Sequence, residues 1–284
     1  MRLSLFKDAR HFQLLFQSAF LLYGIVFLNW EGEWNLYSVY FLVSIITQLL
    51  ADYVINIKNK QQLLSKIFLR NLPSALISSF GLSLLLKTNS LYVAAAAAVI
   101  SILSKYMLRI NKKHIFNPSA LGIAVTVYFT NDAWISPGQW GSNAVLFFGI
   151  ICLGCIVVTR VQKLDISLAF LVSFAGLLFA RQILYLGWPM DFFTQSISTG
   201  SLLLFSFFMI SDPKTTPNHT AARIIWAAAV AVVAFYLATF KFINGAPIWV
   251  LVCMQPLVPL FDYLFKAKKF EWSSPASLNT LIIK

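Results

Sequence analysis

STGSLLLFSFFMISDPKTTPN, Ser198 to Asn218, decides how this chain reads. It begins as an apolar helix behind small residues (Ser198, Gly200, Ser201). It stops in a polar hinge: Ser211, Asp212, Pro213, Lys214, Thr215, Thr216, Pro217, Asn218. Proline lacks a backbone donor and biases the residue before it away from helix, so two prolines four residues apart enforce irregular backbone. The sequence on both sides is apolar enough to sit in lipid. Irregular backbone at the edge of such a region must be buried in protein or wetted, and membrane proteins often place ligands against it. The plainer reading is a helix end followed by a solvated loop.

Of the 284 residues, 59% are hydrophobic and 11% charged, against roughly 25% charged in a soluble domain. So few charges cannot cover a soluble surface, and the chain reads as an all-α integral membrane protein embedded in a lipid bilayer. The net charge of +12 does not indicate a nucleic-acid partner, because the basic residues fall between apolar runs, as in inner-leaflet loops. Met1 to Arg10 is short and basic, but no small-residue cleavage site follows, so a cleavable signal peptide is not expected. Cys152, Cys155 and Cys253 lie in apolar runs, which excludes a disulfide framework.

Ten transmembrane spans are expected, at about 13–29, 36–56, 73–87, 91–110, 116–130, 143–159, 166–187, 192–211, 222–241 and 246–265, each near the ~20 residues of a bilayer crossing. Placing both termini in the cytoplasm puts 19 of the 22 Lys and Arg residues inside, leaving Lys87, Arg181 and Lys241 outside. The chain then reads as one polytopic domain, 1–284, of a bacterial inner membrane. Two halves, about 12–130 and 143–266, would have opposite orientation, and 267–284 would form a short basic cytoplasmic tail. The run Ala94 to Ala98 would allow close helix–helix approach. Asp52 and Asp262 near inner helix ends are expected to snorkel.

KHIFNPSALGIA, Lys113 to Ala124, is the second special stretch. Asn117 is a competent N-cap and Pro118 suits a first helical turn. Taken with Asp212-Pro213, it makes two proline-marked breaks on the inner side, able to line one vestibule. Its candidate ligand-orienting residues are Asn117, Pro118, Ser119, Asp212, Pro213, Lys214, Thr215 and Thr216. Basic Lys113, His114 and Lys214, with the amides of the helix start, would suit an anionic or polar ligand. The outer loop WISPGQWGS, Trp134 to Ser142, carries a Pro-Gly turn between two tryptophans. It reads as a cap on the bundle or as a docking site through Gln139 and Trp140. No phosphate loop, nucleophile elbow or zinc-like spacing occurs, so no self-contained active site and no catalytic or metal-ligating residue is expected.

FNPSALG (Phe116 to Gly122), SPGQWGS (Ser136 to Ser142) and FFMISDPKTTPN (Phe207 to Asn218), in this order, resemble the RnfD/NqrB family. These are membrane subunits of the Rnf complex and of the sodium-pumping NADH:quinone oxidoreductase, and the resemblance runs from roughly residue 40 to 265. It implies a ten-helix, urea-transporter-like fold of two inverted five-helix repeats, flavin as redox partner, other membrane or envelope subunits as partners, and coupling of electron flow to cation movement. Better-known members attach FMN to the threonine of an SGAT motif. That motif is absent here, and Ser136 or Ser142 is a poor replacement. Non-covalent FMN, riboflavin or quinone at the inner vestibule is therefore the expectation, and covalent FMN is not. Two other readings stand beside it: a small-solute transporter of the same fold, and a non-redox scaffold. Asp212→Asn, with Leu203→Asn as a lipid-facing control, would separate a site from a structural hinge.

Overall fold

The structure is a computed structural model that describes residues 9–27, 33–59, 64–111, 113–136, 151, 154–159 and 161–268. Its first part holds α1 (Ala9–Val26), α2 (Trp34–Asn59), α3 (Leu64–Leu85), α4 (Leu91–Met107) and α5 (Pro118–Phe129). Its second holds α6 (Leu164–Phe179) with a π-helical continuation at Ala180–Tyr185, then α7 (Met190–Ile197) and α8 (Gly200–Leu204) with a π-helical continuation at Phe205–Met209. α9 (Thr220–Phe240), α10 (Ala246–Met254), a 3-10 turn at Gln255–Leu257 and α11 (Val258–Leu264) complete it.

Four of the described helical segments are long and apolar enough to cross a membrane: Trp34–Ile55, Leu164–Tyr185, Thr220–Phe240 and Ala246–Leu264. A fifth results if α7 and the α8 segment, bent by 48° at their break, count as one span. Leu91–Met107 and Pro118–Phe129 are shorter apolar helices. Leu42, Leu50, Val172 and Val232 turn large apolar side chains outward, as helices in lipid do. Among the described residues, sequence and structure differ most at two spans, and most of the expected span 143–159 lies outside those residues. α3 starts at Leu64 with Pro73 inside it, because membrane helices tolerate proline where neighbours re-satisfy the freed backbone. The expected span 192–211 is two segments, not one helix.

Packing follows the small residues. Ala94, Ala97 and Ala98 are fully buried. A Cβ on Gly122 would overlap Ser101 Oγ and approach Ala97 O to 2.8 Å, so α4 and α5 meet backbone to backbone. α6 packs on α9, α9 on α10, and α5 on α10, which joins the two parts. The α5–α10 pair is antiparallel. Gln255, just past α10, accepts from the Asn117 amide at the start of α5. At the other end Asn244, just before α10, donates to Ile135 O beyond α5. There β1 (Leu86–Thr88) pairs with β4 (Ala133–Ile135), register Leu86↔Ile135. At the hinge face, β2 (Arg109–Ile110) pairs with β3 (Lys113–His114) through left-handed Asn111, φ 54°.

Two side chains differ from expectation. Leu203 is buried at 2% exposure, so it belongs to the core and not to the lipid face. Asp52, at 5%, does not snorkel. Its carboxylate accepts from Tyr106 Oη at 2.7 Å, from Asn71 Nδ2 at 3.0 Å and from Gln48 Nε2 at 3.2 Å. Burial is tolerated because three neutral donors stand in for water.

Candidate functional site

The start of α5 is a knot of hydrogen bonds. Asn117 has extended backbone, φ −64° and ψ 123°, and its Oδ1 accepts from the Ala120 amide at 3.1 Å and from Ser119 Oγ at 3.0 Å. This is N-cap geometry, with Pro118 in the first turn where no donor is needed. The Asn117 amide donates to Gln255 Oε1 at 2.9 Å, and its Nδ2 to Met209 O at 3.4 Å. One residue thus ties α5 to the end of α10 and to the π-helical end of α8. π-Helical turns cluster at functional sites.

The hinge after Met209 is ordered by its own polar groups. Asp212 Oδ1 accepts from the Lys214 amide at 2.9 Å, an Asx turn, and Asp212 O accepts from the Thr215 amide at 3.1 Å. Thr215 and Thr216 are fully buried. Lys113 donates to Thr216 O and pairs with Asp262 at 2.8 Å, while Asp262 accepts from the Asn218 amide at 2.8 Å. The next helix is held similarly: Arg223 pairs with Asp165 at 2.6 Å and donates to Asn218 O at 2.7 Å.

Between these two breaks and helices α1, α3 and α4 lies a cavity of about 240 Å³. Asn117, Pro118, Ser119, Asp212, Pro213 and Lys214 line it. Thr215 and Thr216 do not: they sit inside the hinge and shape it. Gln139 and Trp140 of the outer loop lie outside the described residues, as does Cys152. Sequence reasoning missed the opposite wall: Gln13 and Gln17 of α1, Asn71, Ser74 and Ser78 of α3, and Lys105 of α4. Their spacings, four apart on α1 and three or four apart on α3, put polar groups on one face of each apolar helix. That stripe was the available signal. Leu84, Val158, Phe207, Phe208 and Met209 supply apolar surface.

The cavity is polar and basic. Lys105 is 4% exposed, and its Nζ donates to Ser74 O at 2.8 Å and to Ser74 Oγ at 3.2 Å. Gln17 Oε1 and His114 Nδ1 are buried without a partner. Burial pushes the His114 imidazole down to about 3, helped by the nearby cations Arg109, Lys105 and Lys214, so it is neutral at physiological pH. Burial raises the Asp212 carboxyl, opposed by the Lys214 amide and by Lys105, Lys214 and Lys113. Outside the cavity, Lys163 donates to Pro217 O of the hinge at 3.4 Å, and burial lowers it to about 8, with Arg223 and Lys113 adding to it.

A second cavity of about 290 Å³ lies beyond His114, against Lys113, Gln255 and Asp262. A third, of about 660 Å³, opens at the opposite end of the bundle between α6, α8 and the start of α10, and Arg181, Gln182 and Asn244 contribute to it.

A helical membrane protein with a part-polar cavity between a helix that starts at a proline and a helix that ends in a proline-marked hinge is the class that fold and site define. Within that class, the chain belongs to the NQR2, RnfD, RnfE family, whose profile matches residues 129–271, half of its length. The match includes the hinge but not FNPSALG, so it covers less of the chain than the resemblance drawn from residue 40 onward. A relative from Halorhodospira halophila (strain DSM 244 / SL1), described as a subunit of an ion-translocating oxidoreductase complex, is 31% identical over 74 residues. Those residues are 26% of this chain and 21% of that protein, so the chain spans about a fifth of the relative's length.

Proposed function

We propose that this protein is an RnfD/NqrB-like subunit of an ion-translocating electron-transport complex and binds a flavin or quinone ring non-covalently in the cavity at the hinge. The carrying observation is that the Asn117-Pro118 and Asp212-Pro213 breaks close on one cavity with apolar walls and an amide, hydroxyl and ammonium edge. An isoalloxazine or quinone ring has apolar faces, and its rim carries hydrogen-bonding atoms. Gln17 Oε1, buried without a partner, would accept from a ring N–H. Asn71 and Lys214 would meet ring oxygens, while Ser119 Oγ, whose hydrogen is given to Asn117 Oδ1, would add an acceptor. At about 240 Å³ the cavity is slightly below the ~300–1,000 Å³ of drug-sized ligand sites, which suits a ring or head group and not a dinucleotide. Bound there, the group would supply the electron-accepting chemistry. The chain itself supplies binding, orientation and a dry wall.

The fuller architecture belongs to the same proposal: ten crossings of a bacterial inner membrane, both termini cytoplasmic, the hinge face inside, and two inverted five-helix halves. The antiparallel α5–α10 pair supports it. Each helix opens with a proline in its first turn, Pro118 and Pro247, from opposite ends of the bundle. Other membrane subunits of such a complex are the proposed partners. The third cavity, about 660 Å³ on the opposite side, favours a second reading in which the same fold passes a small polar solute without redox chemistry.

The deciding experiment is to purify the protein in mild detergent and record visible absorption and flavin fluorescence before and after acid precipitation. Yellow colour released by acid is the expected result. Colour retained on the precipitated chain would mean covalent attachment and refute the non-covalent site. A preparation that is colourless, and that binds neither added riboflavin nor a soluble quinone, would leave the solute-passage reading.

A further inference from the structure

Three basic side chains line the hinge cavity, Arg10, Lys105 and Lys214, against one carboxylate, Asp212. Lys105 is the unusual member. It is almost wholly buried, and the oxygens that its ammonium meets belong to Ser74, a carbonyl and a hydroxyl, both neutral. The carboxylates around it are engaged elsewhere. Asp52 is occupied by Tyr106, Asn71 and Gln48, Asp212 by the Lys214 amide, and Asp262 by Lys113 and the Asn218 amide. None of the described carboxylates lies within ion-pair distance of Lys105. A buried ammonium without a contacting counter-ion is costly, and a ligand that brings the missing charge removes that cost.

We infer that the cavity recognises an anion and that Lys105 is the residue that pairs with it. This rests on the cavity being a ligand site and names the class of ligand: a flat ring with apolar faces that bears one carboxylate or phosphate group. The apolar faces meet Phe207, Phe208 and Leu84, and the anionic group meets Lys105 at the α3–α4 wall. Arg10 and Lys214, both half-buried, draw the anion in without holding it in a fixed geometry.

The test uses the full-length protein in detergent and two matched probe pairs, titrated calorimetrically: 2-naphthoate against neutral 2-naphthamide, and FMN against riboflavin. Within at least one pair the anion should bind roughly tenfold to a hundredfold tighter, the range for a charge-assisted hydrogen bond. Lys105→Met should abolish that preference, Lys105→Arg should keep most of it, and Lys241→Met, on the opposite face, should leave it unchanged. Lys105→Gln, which retains a donor toward Ser74 O, serves if methionine is not tolerated. A preference confined to the naphthoate pair assigns a carboxylate; one confined to the flavin pair assigns a phosphate. Equal binding within both pairs, or a preference that survives Lys105→Met and Lys105→Gln, overturns the inference. Failure of both flavins while naphthoate is still preferred would sink the flavin reading and leave the anion site standing.

Discussion

Replacing Asn117 separates the two things its side chain does. Its Oδ1 caps α5 through the Ala120 amide, and its Nδ2 ties that helix to Met209 O. Loss of an N-cap costs about 1 kcal/mol. A hydrogen bond between membrane helices averages about 0.6 kcal/mol, and the 3.4 Å length of this one places it no higher. Asn117→Ala removes both, so it should destabilise the protein by about 1.6 kcal/mol. Serine caps about as well as asparagine but has no reach to Met209, so Asn117→Ser should lose only about 0.6 kcal/mol. The Asn117 amide bond to Gln255 belongs to the backbone and survives in both variants. Unfolding by SDS in mixed micelles, followed by tryptophan fluorescence, measures the difference. Equal losses in the two variants, or no loss in alanine, would refute the capping role at this buried position.

Three further outcomes follow from the geometry. Gly122→Ala places a methyl group against Ser101 Oγ and 2.8 Å from Ala97 O; it should cost about 1–3 kcal/mol in the same assay, and Ser101→Gly in that background should return part of it. His114 is held well below its ordinary value of 6.5, at about 3. Between those values the unfolded chain binds the proton and the folded one does not, so stability should fall as pH drops through that window. His114→Gln should flatten the acid limb of the stability curve, and an unchanged limb would refute the burial argument. Cysteines at positions 136 and 268 should be labelled only from the periplasmic side and only from the cytoplasmic side, respectively; the reverse would overturn the proposed orientation.

The hinge and the start of α5 were legible because proline and the capping residues act through their own backbone, within a few positions. Asn117 needs no distant partner to be read as a cap. The Ala94 to Ala98 run was legible for a similar reason, since small size alone dictates close approach. Pro73 misled the same logic: in water it argues for a helix end, whereas inside a bundle the helix runs through it. The π-helical continuations at Ala180–Tyr185 and Phe205–Met209 leave no periodic trace over five or six residues. Partners distant in sequence were out of reach. Lys113 and Asp262 are 149 residues apart, and Lys105 was counted only as a topological charge. Nothing local distinguishes a lysine that meets a serine carbonyl inside the bundle from one that meets water.

Asp212 is where the plain and the functional readings of the hinge can be told apart, because it has two separable properties. As a turn residue it needs only an acceptor for the Lys214 amide, and asparagine supplies one at the same atom. As a site residue it contributes an anionic acceptor to a cavity lined by Lys105 and Lys214. Asp212→Asn should therefore melt like the wild type, whereas Asp212→Ala should lose about 1 kcal/mol with the turn bond. Riboflavin should bind Asp212→Asn more weakly, because a neutral amide is a poorer acceptor for its ribityl hydroxyls than a carboxylate. Naphthoate should bind it more tightly, because one opposing charge is gone. The folding control must sit on the lipid face, so Val172→Asn, at a 69% exposed position, replaces the buried Leu203. If Asp212→Asn is lost from the membrane as fully as a core variant such as Leu203→Asn, while Val172→Asn is retained, the carboxylate is part of the fold. Opposite shifts of riboflavin and naphthoate in a stably folded Asp212→Asn would place it in the ligand site, since a purely structural carboxylate has no reason to move two ligands in opposite directions.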